Sequence, residues 1–282
     1  MSRTAIGCFA RLTFKEAVRR KIVLAAMFLG VAFLVVYGLG LHFIHQDLIR
    51  DGDNQNVLIC NQIYNFLLLS GLYVVNFLLA IMTVLTSVDT IAGEIDSGTI
   101  HALAAKPVRR WEIVIGKWLG YVVMLGLYLL MMSGGITGLT AAITGYKLPN
   151  VLNGLALIGL NGMLLLNVTL LGGTQLSTLA NGVLVFAGFG VAFVGGWVEQ
   201  IGSFVGSPAA VNVGIVSSLL LPSEALWKRA AYEMRSLIVD AVGFSPFTST
   251  TSVPSSGMII YAVLYALIAL VLAVWNFGRR DL

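Results

Sequence analysis

Residues Asp89 to Trp118 read DTIAGEIDSGTIHALAAKPVRRWEIVIGKW, a polar island in an otherwise apolar chain. On either side lie apolar runs long enough to cross a bilayer. The island opens with two acids, Glu94 and Asp96, and a Gly98-Thr99 step. Asp96 or Ser97 is placed to cap a short helix over about 99–105, containing Leu103. Pro107 ends that helix, because the residue before a proline is pushed out of helical geometry. A basic cluster follows: Lys106, Arg109, Arg110 and Lys117. The excess of Lys and Arg on non-translocated loops accounts for the basic residues. It does not account for the acids, the Gly-Thr step or the helix between them. A short rigid helix between two membrane helices presents a compact knob to a partner.

Composition sets the frame around this stretch. Of the 282 residues, 58% are hydrophobic and 11% charged, against roughly 25% charged in a soluble domain. The expectation is a single all-α polytopic membrane domain over 1–282, with no room for a soluble catalytic module. The formal charge of +4 sits at segment ends, which predicts topology rather than a nucleic-acid partner.

Six spans are predicted, near 22–44, 63–88, 113–143, 151–180, 182–205 and 257–277. Ahead of them, 1–21 forms a helix with Arg11, Lys15 and Arg19 on one face and Ile6, Phe9, Ala10, Thr13 and Ala17 on the other. That pattern suits a basic helix lying in the cytoplasmic interface. The loop after the first span carries Asp47, Asp51 and Asp53 against Arg50, so it is placed outside, with both termini inside. The segment 89–112 then lies on the cytoplasmic side between spans two and three. Cys8 and Cys60 fall on opposite sides, so no disulfide joins them. The stretch 207–256, broken by Pro208, Pro222, Pro246 and Pro254, is predicted to be external. Within it Ser223 caps an amphipathic helix resting on the membrane surface, and 211–221 is re-entrant or packed beneath that helix. Glu199 reads as a solvated helix end.

In the fourth span Asn167, Thr174, Thr178 and Asn181 share a narrow helical arc. This face either lines a substrate path or subunit interface, or holds the bundle through interhelical hydrogen bonds. The Gly134/Gly138 and Gly188/Ala192/Gly196 steps are close-approach faces, within the bundle or between copies. No phosphate-binding loop is present: Trp111 stands where Gly116-Lys117 would need a glycine. HExxH, CxxC and GxSxG are also missing, so no catalytic residue and no metal site is assigned. No acid or base sits in the middle of a predicted span, which argues against ion coupling and for energy supplied from elsewhere.

The ordered set Glu94, Gly98-Thr99, Leu103, Pro107-Val108, Arg110, Glu112 and Gly116-Lys117 resembles the cytoplasmic signature of permease subunits of type-2 ABC exporters. The wordings of Thr13 to Lys21 and Leu219 to Trp227 are also similar to that family. The resemblance implies a coupling helix that docks on a separate ATPase subunit, through Glu94, Asp96, Gly98, Thr99, Leu103, Pro107, Arg109 and Arg110. It implies ATP and Mg²⁺ bound by that subunit, no cofactor in this chain, and a second permease copy as partner, identical or homologous. Membrane lipids and the cell membrane complete the expectation. The other reading is a non-transporting membrane scaffold or assembly factor. The apolar spans allow lipids, hydrophobic drugs or amphipathic products as substrate.

Overall fold

Long apolar runs without internal proline satisfy their backbone groups only by coiling, since lipid offers no partner for a free N–H or C=O. In the computed structural model, which describes residues 2–50, 57–93, 109–235 and 253–279, the chain is helical almost throughout. The helices are α1 (Ser2–Arg19), α2 (Lys21–Arg50), α3 (Val57–Ser87), α4 (Arg110–Thr144), α5 (Val151–Gly173), α6 (Thr178–Val205), α7 (Pro208–Leu220), α8 (Ser223–Met234) and α9 (Ser256–Arg279). Six of them, α2 to α6 and α9, are long and apolar enough to cross a membrane. The end of the bundle that carries α1 is called proximal below, and the opposite end distal.

The spans α3, α4 and α5 form the centre, while α2 and α9 lie at the rim with most of their surface open. Leu68, Leu72, Met132, Ile136, Ile158 and Leu165 are fully buried there. In lipid such packing acts through close contact rather than water release, and glycines set the register. Gly30 lies against Met132, Leu34 against Gly135 and Gly38 against Leu139, so α2 and α4 run parallel over about two turns. Side-chain bonds add to this. Asn161 donates to Asn76 Oδ1 at 2.9 Å, joining α5 to α3. Tyr37 and Thr140 share a hydrogen bond at 3.0 Å, joining α2 to α4.

The helix ends follow local chemistry. Gly145 closes α4 at φ 71°, with its N–H on Ala141 O, a left-handed conformation that glycine adopts without cost. The helix of the fourth predicted span, 151–180, ends earlier than predicted, at Gly173. The chain breaks at Gly172-Gly173, where glycine is a poor helix former, and restarts at Thr178. Asn181 folds back across the break and donates to Thr169 O at 2.9 Å. Thr174 therefore caps α5 while Thr178 and Asn181 belong to α6. The single arc drawn through Asn167, Thr174, Thr178 and Asn181 does not exist.

The distal end differs most from the sequence reading. Residues 211–220 are helical within α7, and α7 and α8 meet at a bend of 105°, a geometry that a re-entrant pair would have. Pro222, not Ser223, takes the cap position of α8, and no side chain caps it. Nor does α8 rest on the surface by one face. Ser223, Glu224, Ala225, Leu226, Trp227, Ala230, Ala231 and Met234 are all buried, packed on α5, α6 and α3. Gly154 at the start of α5 gives way to Met234. The predicted continuation of its apolar face, Ile238 and Ala241, lies outside the described residues.

Candidate partner-docking site

The segment from 94 to 108 lies outside the described residues, and with it Glu94, Asp96, Gly98, Thr99, Leu103 and Pro107. What the structure describes is the frame that holds both ends of that segment. The entering end is the foot of α3. Thr90 is buried; its hydroxyl bonds to Tyr121 OH at 2.7 Å and its carbonyl accepts from Lys117 Nζ at 3.0 Å. One residue earlier, Asp89 takes a contact from Arg20 at 3.5 Å and from Thr178 Oγ1 at 3.4 Å. Two adjacent residues thus tie the foot of α3 to the α1–α2 joint, to α4 and to α6.

The leaving end is the start of α4. Arg109 sits at the cap position, exposed, and its N–H donates to Glu112 Oε2 at 3.3 Å. Glu112 is buried, so the first turn of α4 is anchored rather than frayed. Arg110 is half-buried beside it. Lys117 does not snorkel outward as its position suggests; it turns inward to Thr90. Trp118 likewise turns inward and donates to Asn167 Oδ1 at 2.7 Å, and Asn167 in turn donates to Ala266 O at 2.9 Å.

The helix α1 braces this frame. Phe9 packs over Gly116, and Ala10 and Thr13 pack over Gly120. A Cβ at Gly120 would stand 2.8 Å from Ala10 O, so only glycine permits that approach. The residues assigned to the apolar face of α1 are therefore the ones that meet α4.

A family model described as ABC-2 family transporter protein matches residues 9–282. The chain belongs to that family. No curated protein matches the chain. This ABC-2 family chain is a multi-pass membrane protein and the membrane permease component of an ABC transporter. Its family is one of membrane permease domains, which are generally non-catalytic.

Two further polar groups bear on how the ABC-2 chain works. The four residues assigned to a possible path or interface are each engaged inside the bundle. Asn167 links α4, α5 and α9, Thr174 bonds to Leu171 O at 2.7 Å, Thr178 reaches Asp89, and Asn181 spans the α5–α6 break. At the distal end, Glu199 of α6 is not a solvated terminus. It is buried and lies 2.9 Å from Lys228 Nζ of α8. Glu224, one turn before Lys228, is buried beside them and bonds to Tyr73 of α3, whose hydroxyl also accepts from Trp197 at 3.2 Å. The backbone permits this through three glycines: Gly195 faces Ser217, Gly196 faces Glu224, and Gly214 faces Glu199.

Sequence reasoning missed both hubs. Thr90 lies within the polar island and Tyr121 just beyond it, but neither residue type in isolation signals a tie. The distal cluster carried one signal: Glu224 and Lys228 sit four apart on a helix, an ordinary spacing for an ion pair. Nothing in the chain order points to Glu199 as the third member.

Proposed function

We propose that this chain is the membrane-spanning subunit of an ABC exporter, driven by a separate ATPase subunit that binds ATP and Mg²⁺. It pairs with a second copy of itself or with a homologous permease. It resides in the cell membrane with both termini cytoplasmic, so that the proximal end faces the ATPase. Segment 89–112 is the docking segment, with Glu94, Asp96, Gly98, Thr99, Leu103, Pro107, Arg109 and Arg110 making the contact.

The observation that supports this reading best is the tie at Asp89 and Thr90. A push on the 94–108 segment reaches α4 through Thr90, Tyr121 and Lys117, and reaches α6 and the α1–α2 joint through Asp89. A force delivered at one loop is thereby shared among helices on different sides of the bundle. Tight packing favours two discrete arrangements over gradual bending. Asn167, Thr174, Thr178 and Asn181 act in this reading as bonds that hold the bundle.

The test is affinity purification of the tagged chain in mild detergent, with mass spectrometry of what co-purifies and an ATPase assay. Recovery of a nucleotide-binding subunit, with hydrolysis that falls in Glu94→Arg while the bundle stays folded, is the expected result. A clean preparation with neither partner nor hydrolysis would favour a scaffold instead.

A further inference from the structure

We propose that a basic pocket between α1 and α4 binds the phosphate of an anionic phospholipid headgroup. The pocket has a volume of about 680 Å³ and is lined by Lys15, Glu16, Arg19, Arg20 and Lys117, with Phe9, Leu12 and Thr13 completing the wall. Its charge is out of balance. Four cations face one acid, Glu16, which is already taken by Arg20 at 2.7 Å. A second acid, Asp89, also contacts Arg20. Among the described residues Lys15 and Arg19 form no ion pair, so the pocket presents two uncompensated charges to an anion.

Depth decides which anion. The register of α2 on α4 sets Lys21, the first residue of the apolar span, beside residue 122 of α4. Lys117 lies five residues below that level, about 7 Å at 1.5 Å per residue. The headgroup layer occupies that depth beside a hydrocarbon core about 30 Å thick. The length of α4 agrees: its 35 residues extend about 52 Å, so its first turns stand outside the hydrocarbon.

The two flanks of α1 differ in a way that fits the same depth. Opposite the basic pocket, Phe14 and Val18 of α1 join Val23, Leu24, Met27 and Met131 in a cleft of about 420 Å³ with an almost wholly apolar lining. One flank offers headgroup chemistry and the other offers contact for acyl chains. Phe9 and Leu12 give the basic pocket itself an apolar edge, which a lipid would cover and a free inorganic ion would not. Basic pockets between membrane helices near the cytoplasmic face are suited to phosphate headgroups. The proposal rests on α1 lying at the cytoplasmic interface, as in the reading above. It does not rest on the ATPase.

The experiment uses the full-length purified chain without any partner subunit. Native mass spectrometry and thermal unfolding are recorded with added phosphatidylglycerol, cardiolipin, phosphatidylcholine or inorganic phosphate. The chain is compared with Lys15→Gln/Arg19→Gln and with Arg11→Gln, an α1 cation outside the pocket. Anionic lipid should be retained and should raise the unfolding temperature, with affinity falling about tenfold to thirtyfold in the double variant. Arg11→Gln should change little. Equal retention of phosphatidylcholine, or undiminished anionic-lipid binding in the double variant, overturns the proposal. Displacement of the lipid by millimolar phosphate assigns the same chemistry to a soluble ligand and overturns the lipid source.

Discussion

Replacing Lys228 with Met removes the cation paired with Glu199 in a buried cluster that contains two carboxylates. Lys228 Nζ stands 2.9 Å from Glu199 Oε2, and the two side chains are only 10% and 7% exposed. At an effective dielectric constant of about 20, two unit charges at that separation attract by about 6 kcal/mol. Desolvation of both groups offsets most of this in the intact protein. After the substitution the attraction is gone while Glu199 stays buried beside Glu224, so the loss is not offset. Breaking such a pair by removing one partner costs about 3–5 kcal/mol, and that is the expected destabilisation of Lys228→Met. The assay is equilibrium unfolding in detergent micelles followed by tryptophan fluorescence. Trp197 bonds to Tyr73 within the cluster and the Trp227 ring lies 5.0 Å from that of Tyr73, so the signal arises beside the perturbed charge. The double variant Glu199→Gln/Lys228→Met should recover a large part of the loss, because it removes the stranded carboxylate together with its partner. Loss below about 1 kcal/mol in Lys228→Met would mean that water reaches the cluster and that the α7–α8 hairpin is not seated. Simple additivity of the two substitutions would refute the pairing itself.

Other perturbations test the remaining ties. Gly120→Ala brings a methyl group into Ala10 O and Thr13, and should destabilise the chain by about 1–3 kcal/mol as an overpacking change, measured by the same unfolding curves. Tyr128→Phe should leave stability unchanged or raise it slightly, since the buried Tyr128 hydroxyl has no hydrogen-bond partner among the described residues; a loss above about 1 kcal/mol would reveal a partner. Thr90→Val keeps the shape of the foot of α3 but deletes the bond to Tyr121. It should cost about 1 kcal/mol in unfolding and lower ATP-coupled transport more than it lowers stability; unchanged transport in reconstituted vesicles would remove Thr90 from the proposed relay.

Much of the membrane architecture could be read from the chain alone. Six apolar runs between polar breaks sufficed for six spans, because a bilayer imposes length and apolarity on each span locally, without reference to its neighbours. Helical spacing put Phe9, Ala10, Thr13 and Ala17 on one face of α1, but that Phe9, Ala10 and Thr13 pack on α4 came from the structure. The candidate site was legible as composition. The polar island stands out against its flanks, although its central residues, 94–108, lie outside the described part of the fold.

What the tertiary structure decided are the relations between segments distant in the chain. The seating of α8 inside the bundle depends on a carboxylate in α6, a tyrosine in α3 and glycines in two helices meeting at one point. No local pattern encodes that meeting, so α8 read as a surface helix and Glu199 as a solvated end. The break between α5 and α6 was placed at 180–182 rather than after Gly173, because the side chain that bridges it, Asn181, lies beyond the break. Hydrophobic pattern is a one-dimensional consequence of the solvent, and was determined by the sequence alone. Burial of charge is a three-dimensional consequence of the packing, and only the folded chain shows which groups share it.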